Sequence, residues 1–85
     1  MGAQALGNLI QAAEGGLDSP DALEGINAVM REVTDCGGKF STYGGGLTVV
    51  LITAGEIQFT GEHKDCFRAT LLAAKRFLES LAKEG

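Results

Sequence analysis

The stretch LTVVLITAGEIQF, Leu47–Phe59, decides the fold, because a long apolar run meets a turn signal and then strict alternation. Its first seven residues are rich in β-branched side chains, which favour strands. Ala54 and Gly55 follow, and the glycine can adopt the positive φ of a tight turn. Ile57 and Phe59 then alternate with polar residues. The stretch therefore predicts a β-hairpin.

The sequence leaves two registers of this hairpin open. If Ala54 and Gly55 form a two-residue loop, Ile52 lies opposite Ile57. If the loop has three residues, Leu51 lies opposite Ile57 instead. The two-residue loop gathers four apolar side chains on one face, which we expect to be the core face: Val50, Ile52, Ile57 and Phe59.

The first strand of the hairpin is apolar on its second face as well. Leu47, Val49 and Leu51 alternate there. A strand that is apolar on both faces is typically covered on both. We expect the second cover to be either the N-terminal helix or another protein chain.

Length and composition limit the class of protein. A chain of 85 residues forms one domain, 1–85, with a single core. The content of 45% hydrophobic and 21% charged residues is typical of a globular protein, and no apolar run approaches the roughly 20 residues of a membrane-spanning helix. The opening MGAQALGNLI lacks the basic start and apolar core of a secretory signal. We therefore expect a cytoplasmic protein.

The charge is unevenly distributed. Residues 1–62 carry eight acidic and two basic side chains, whereas residues 63–85 carry five basic and three acidic ones. The net charge is −4. An acidic domain with one basic segment lacks the extended positive surface that general nucleic-acid binding requires, which argues against that class.

Three helices flank the predicted sheet. Residues 3–14 form a weak helix interrupted by Gly7, so 1–16 is either flexible or a docked N-terminal helix. Ser19 as N-cap and Pro20 at the first helical position begin a stronger helix, which ends near position 36 at a glycine pair.

The final helix, about 63–83, is amphipathic. Leu72 lies in the middle of its charged face, between Arg68 and Arg76, and would suit the edge of a protein contact. The apolar stripe that should lie on the core face of the sheet comprises Phe67, Leu71, Ala74, Leu78 and Leu81, flanked by Thr70 and Phe77.

The predicted class is α+β. A three-stranded antiparallel meander, with strands at about 39–43, 47–54 and 56–60, carries helices 19–36 and 63–83 on one face. The weak helix 3–14, or a second subunit, covers the other face.

The residues that carry chemistry are few. Cys36 and Cys66 lie at predicted helix ends, and the expected cytoplasmic setting favours free thiols. His63 precedes Cys66 by three residues, but a structural zinc site requires four ligands and the chain offers no fourth. No oxyanion hole or orienting third residue accompanies the Cys66–His63 pair. We therefore predict no enzyme activity, catalytic residue, metal or cofactor.

Two resemblances bear on function. The order helix, three strands, helix over residues 20–83 resembles the double-stranded RNA-binding domain, in which basic residues that open the second helix grip phosphates. That resemblance implies such a role for Lys64 and Arg68, although Gly44–Gly46 replaces the Pro- and His-bearing loop of that family. The last segment, GEHKDCFRATLLAAKRFLESL, is similar to small phage-encoded domains and implies a phage or mobile-element accessory protein.

The sequence as a whole predicts a non-enzymatic protein-interaction or assembly module, with a homodimer as the expected state. The alternative is an RNA-binding module that uses the basic final helix. No membrane association is expected. The candidate interaction surface comprises Leu47, Val49, Leu51, Arg68, Leu72 and Arg76.

Overall fold

The computed structural model of the chain describes residues 2–84, and it confirms the α+β class and the three-stranded meander. The sheet is antiparallel throughout, in the order β1-β2-β3. The elements are α1 (Gly2–Gly15), α2 (Ala22–Asp35), β1 (Lys39–Tyr43), β2 (Thr48–Ala54), β3 (Ile57–His63) and α3 (Cys66–Glu84).

The hairpin between β2 and β3 adopts neither predicted register. Ala54 pairs with Ile57, so the loop is Gly55-Glu56, and Ile52 lies opposite Phe59. Gly55 has a φ of +64°, which suits the first central position of a type II′ turn. The observed pairing is shifted by two residues from that of the predicted two-residue loop. A shift of two leaves each side chain on the same face of the sheet, so Val50 and Ile52 remain on the core face.

Helix α3 lies directly on β3 and touches β2. The close approach depends on Gly61, since a Cβ atom there would lie 2.6 Å from the backbone nitrogen of Ala73 and against the carbonyl of Ala69. Ala69 and Ala73 are fully buried at this contact, although the predicted stripe did not include them. The predicted stripe was therefore right only in part: Leu71 and Ala74 are buried, whereas Phe67, Leu78 and Leu81 are partly buried and pack against the core.

Helices α2 and α3 both begin three residues later than predicted. His63 still belongs to β3, and the carboxylate of Asp65 caps α3 by accepting a hydrogen bond from the N–H of Phe67 at 3.0 Å. In α2, Ser19 Oγ accepts a hydrogen bond from the N–H of Asp21 in a turn before the helix. The predicted start at Ser19 describes that turn rather than the first helical residue.

The end of α2 forms a Schellman motif. The N–H of Gly38 donates to the carbonyl of Val33 at 2.9 Å, and the N–H of Gly37 donates to Thr34 at 3.0 Å. Gly37 has a φ of +96°, a conformation that favours glycine. The motif confirms the predicted glycine stop and turns the chain into β1.

Helix α1 packs on α2 and α3, and it contacts no strand among the described residues. Leu6, Ile10 and Ala13 enter the core, and Gly25 of α2 admits the Ala13 backbone at close range. Of the two covers expected for the second face of the sheet, the N-terminal helix is therefore excluded. Its apolar stripe is buried against the other two helices. All three helices therefore lie on the same side of the sheet.

Within residues 2–84, none of the helices combines the length and apolar character that crossing a membrane requires.

Candidate interaction surface

The side of the sheet that faces away from the helices is called the open face here. Its residues follow from strand alternation and from the observed pairing. They are Lys39, Ser41 and Tyr43 on β1, Val49, Leu51 and Thr53 on β2, and Gln58, Thr60 and Glu62 on β3.

The centre of the open face is apolar. Val49 and Leu51 lie on the middle strand and are only partly buried. Tyr43 pairs with Val49 and has 58% of its surface exposed. Leu47, just before β2, is 46% exposed. The four side chains extend from the middle of the open face to one end of the sheet, and exposed apolar area of this kind is expected to serve a contact.

The two charges of the open face lie at diagonally opposite corners. Lys39 is on β1 and pairs with Thr53, near one end of β2. Glu62 is on β3 and pairs with Val49, near the other end. Neither takes part in an ion pair with another residue of the described chain. The face is therefore electrically neutral although the whole protein has a net charge of −4.

The remaining predicted residues form a second surface on α3. Arg68, Leu72 and Arg76 follow one another at intervals of four residues and are exposed, as predicted. Leu72 has 39% of its surface exposed. Arg68 forms an ion pair with Asp65 at 3.5 Å. The six candidate residues thus divide into two separate groups, one on the open face and one on α3.

Leu72 and Arg76 also border a groove of about 280 Å³ at the outer edge of β3. Thr60, Gly61 and Glu62 complete its lining. No pattern in the sequence predicts this groove, because it exists only where the helix rests on Gly61. Tyr43 was also absent from the prediction, although alternation in β1 placed it on the same face as Ser41.

A smaller cavity of about 210 Å³ lies where the end of α1 meets α3. Lys75 and Glu14 form an ion pair across it at 2.6 Å, which joins the two helices. His63 is among its lining residues. The His63 Nδ1 atom accepts a hydrogen bond from the N–H of Asp65 at 2.9 Å, and this bond orients the ring at the start of α3.

The two cysteines are free thiols in different surroundings. Cys36 is partly buried, and its Sγ atom lies 3.8 Å from a carboxylate oxygen of Glu32. Burial, followed by the charge of Glu32, raises the pKa of the Cys36 thiol. Cys66 is exposed in the first turn of α3. Among residues 2–84, no group of three or more His, Cys, Asp or Glu side chains is arranged to hold a metal ion.

The residues implied in RNA contact lie at the start of α3. Lys64 is exposed in the turn before α3. Arg68 is partly compensated by Asp65, and Glu62 lies beside Arg76 in the groove. This mixture of charges weakens the positive potential on which phosphate binding depends.

Comparisons of the chain with protein-family models, with curated proteins and with solved structures found no match.

Proposed function

We propose that this protein is a non-enzymatic assembly module whose open face binds the open face of a second copy. The observation that carries the proposal is the apolar group formed by Tyr43, Leu47, Val49 and Leu51, on a side of the sheet that α1, α2 and α3 leave bare. A two-fold contact of this kind would bury the group beneath the open face of the other copy.

Charge complementarity supports a second copy as the occupant. A two-fold axis in the plane of the contact, perpendicular to the line from Lys39 to Glu62, brings each lysine opposite the glutamate of the other copy. The two sheets then cross steeply, as in orthogonal sheet packing. Any other partner would need a matching pair of charges, whereas a second copy supplies them by symmetry.

The area of the open face determines the affinity that we expect for the dimer. The seven residues of β2 span about 23 Å, and three strands are about 14 Å wide. This area is well below the roughly 800 Å² per partner of a standard interface. We therefore expect a dimer that dissociates in the micromolar range and exchanges rapidly.

The direct test is a charge in the centre of the face. Val49→Lys should give a folded monomer, because the lysine is solvated in the free chain, whereas in the dimer it would lose solvent and compete with Lys39 of the other copy for Glu62. Leu23→Lys is the matched control, since Leu23 is 56% exposed on α2, away from the sheet. Sedimentation velocity of both variants distinguishes the outcomes: a Val49→Lys variant that associates as well as Leu23→Lys contradicts the proposal.

A charge exchange tests the orientation of the two copies. Lys39→Glu and Glu62→Lys should each weaken association, because each places like charges opposite one another. The double variant should recover most of the lost affinity. If the double variant is as weak as the single variants, Lys39 and Glu62 do not meet across the contact.

The same variants separate self-association from RNA binding. Phosphate contacts weaken steeply with salt, whereas the apolar contact through Val49 and Leu51 should persist. RNA binding that depends on Lys64 and Arg68, and is unaffected by Val49→Lys, would favour the RNA-binding alternative.

A further inference from the structure

The outer edge of β3 has free backbone hydrogen-bonding groups. In a hairpin with a two-residue loop, the residues next to the loop form a hydrogen-bonded pair, and such pairs alternate along the strands. Ile57, Phe59 and Gly61 therefore direct their backbone groups toward β2. Thr60 and Glu62 direct theirs outward, where the described chain provides no further strand.

The groove beside this edge lies on the helix side of the sheet. Leu72 and Arg76 border it at the level of Gly61, on which α3 packs directly. One helical turn separates Leu72 from Arg76, about 6 Å along α3. Alternate residues of an added strand are about 6.6 Å apart, so two of its side chains on this side match the two positions.

The chemistry of the two positions differs. Leu72 presents an exposed apolar side chain. Arg76 is exposed and forms no ion pair with another residue of the described chain. An apolar side chain would therefore pack on Leu72, and a carboxylate would reach the guanidinium of Arg76.

The geometry points to a strand-addition site: an extended segment of another protein pairs with the outer edge of β3 and places an apolar and an acidic residue, two positions apart, on Leu72 and Arg76. A second copy of this chain does not suit the site. The residues of its own β3 that would face α3 are Phe59, Gly61 and His63, and none of them is acidic.

The probe for this site is a phage-displayed library of random eight-residue peptides, selected on the immobilised full chain. Wild-type protein should enrich β-branched sequences that carry an apolar and an acidic residue two positions apart. Arg76→Glu should change the acidic preference to lysine or arginine. Lys83→Glu, the same change of charge at an exposed position further along α3, should leave the selected sequences unchanged.

A synthetic peptide from that selection tests the backbone pairing. Thr60→Pro removes the outward N–H of β3 and should weaken binding by roughly tenfold or more. If this variant melts early, Leu72→Glu replaces it, because that side chain is exposed and its loss does not disturb the core. Binding unchanged by Leu72→Glu, no enrichment on the wild type, or enriched peptides without an acidic residue would each overturn the site.

The strand-addition site goes beyond the proposed self-association and does not rest on it. Val49→Lys alters the open face and leaves the backbone of β3 and the side chains of Leu72 and Arg76 unchanged. This monomeric variant should therefore select the same peptides as the wild type. If Val49→Lys loses peptide binding, the strand-addition site is not independent of the open face. If the wild type is monomeric and still selects the peptides, the proposed dimer is wrong and the strand-addition site stands.

Discussion

At the scale of single residues, the contact between α3 and β3 is possible because Gly61 has no side chain. Gly61→Ala would place a methyl group against the backbone of α3, so the helix must move away from the sheet. We expect the free energy of unfolding to fall by about 1–3 kcal/mol, as in other overpacked cores. Urea titration measures the loss.

Gly44→Ala provides the matched control for this change. A Cβ atom at Gly44 meets no neighbouring atom within 4 Å, and the stability of that variant should stay near that of the wild type. Equal stability of Gly61→Ala and Gly44→Ala would mean that the close packing of α3 on β3 is wrong.

The two thiols provide a second prediction at this scale. Burial and the charge of Glu32 raise the pKa of Cys36, so less of it is thiolate near pH 8. Iodoacetamide should therefore alkylate the exposed Cys66 faster than Cys36, as resolved by mass spectrometry of peptides. Equal rates would contradict the different surroundings of the two residues.

The same pKa shift gives a direction for stability. The folded state holds the Cys36 proton more tightly than the unfolded state does. The resulting contribution of Cys36 to the free energy of unfolding is therefore complete below the ordinary thiol pKa of about 8.5. It is lost as the pH rises through the raised value. The melting temperature of the wild type should decline more above that pH than the melting temperature of Cys36→Ala. Parallel declines would indicate that Cys36 titrates alike in both states.

At the scale of elements, periodicity predicted the existence of every helix and strand but not how they meet. The exposed line of Arg68, Leu72 and Arg76 followed from the sequence, because charged residues surround Leu72. The burial of Ala69 and Ala73 did not, because alanine gives a weak apolar signal and the partner of that face is a glycine in another element.

The position of α1 was equally inaccessible to sequence analysis. An apolar stripe such as that of Leu6 and Ile10 can be buried against a sheet or against other helices, and nothing in its spacing distinguishes the two. The predicted registers of the hairpin were wrong for a related reason. Gly55 can occupy either loop position, and only the pairing of the whole strands selects one.

Helix α3 offers a prediction at this scale. Phe77 is 2% exposed, and its ring meets that of Phe59 edge-on at 5.5 Å, so Phe77→Ala should cost about 3–5 kcal/mol of stability. Leu72→Ala, at an exposed position of the same helix, should stay within about 0.5 kcal/mol of the wild type. Chemical unfolding compares the two. A larger loss for Leu72→Ala would invalidate the orientation of α3.

At the scale of the whole molecule, all three helices lie on one side of a small sheet and leave its other side exposed. Alternation in β2 was enough to predict Val49 and Leu51 on this side. Tyr43, Lys39 and Glu62 could not be assigned with them, since their positions depend on strand pairing. A domain of 85 residues has a limited core, and a second copy would add apolar contacts that the single chain cannot make.

The measurement that tests self-association most directly is the molar mass of the wild-type chain by sedimentation equilibrium across the micromolar range. The account predicts a mass that rises with concentration from the 8.8 kDa of one chain toward twice that value. A mass of one chain at every concentration would contradict the proposal that the open face joins two copies.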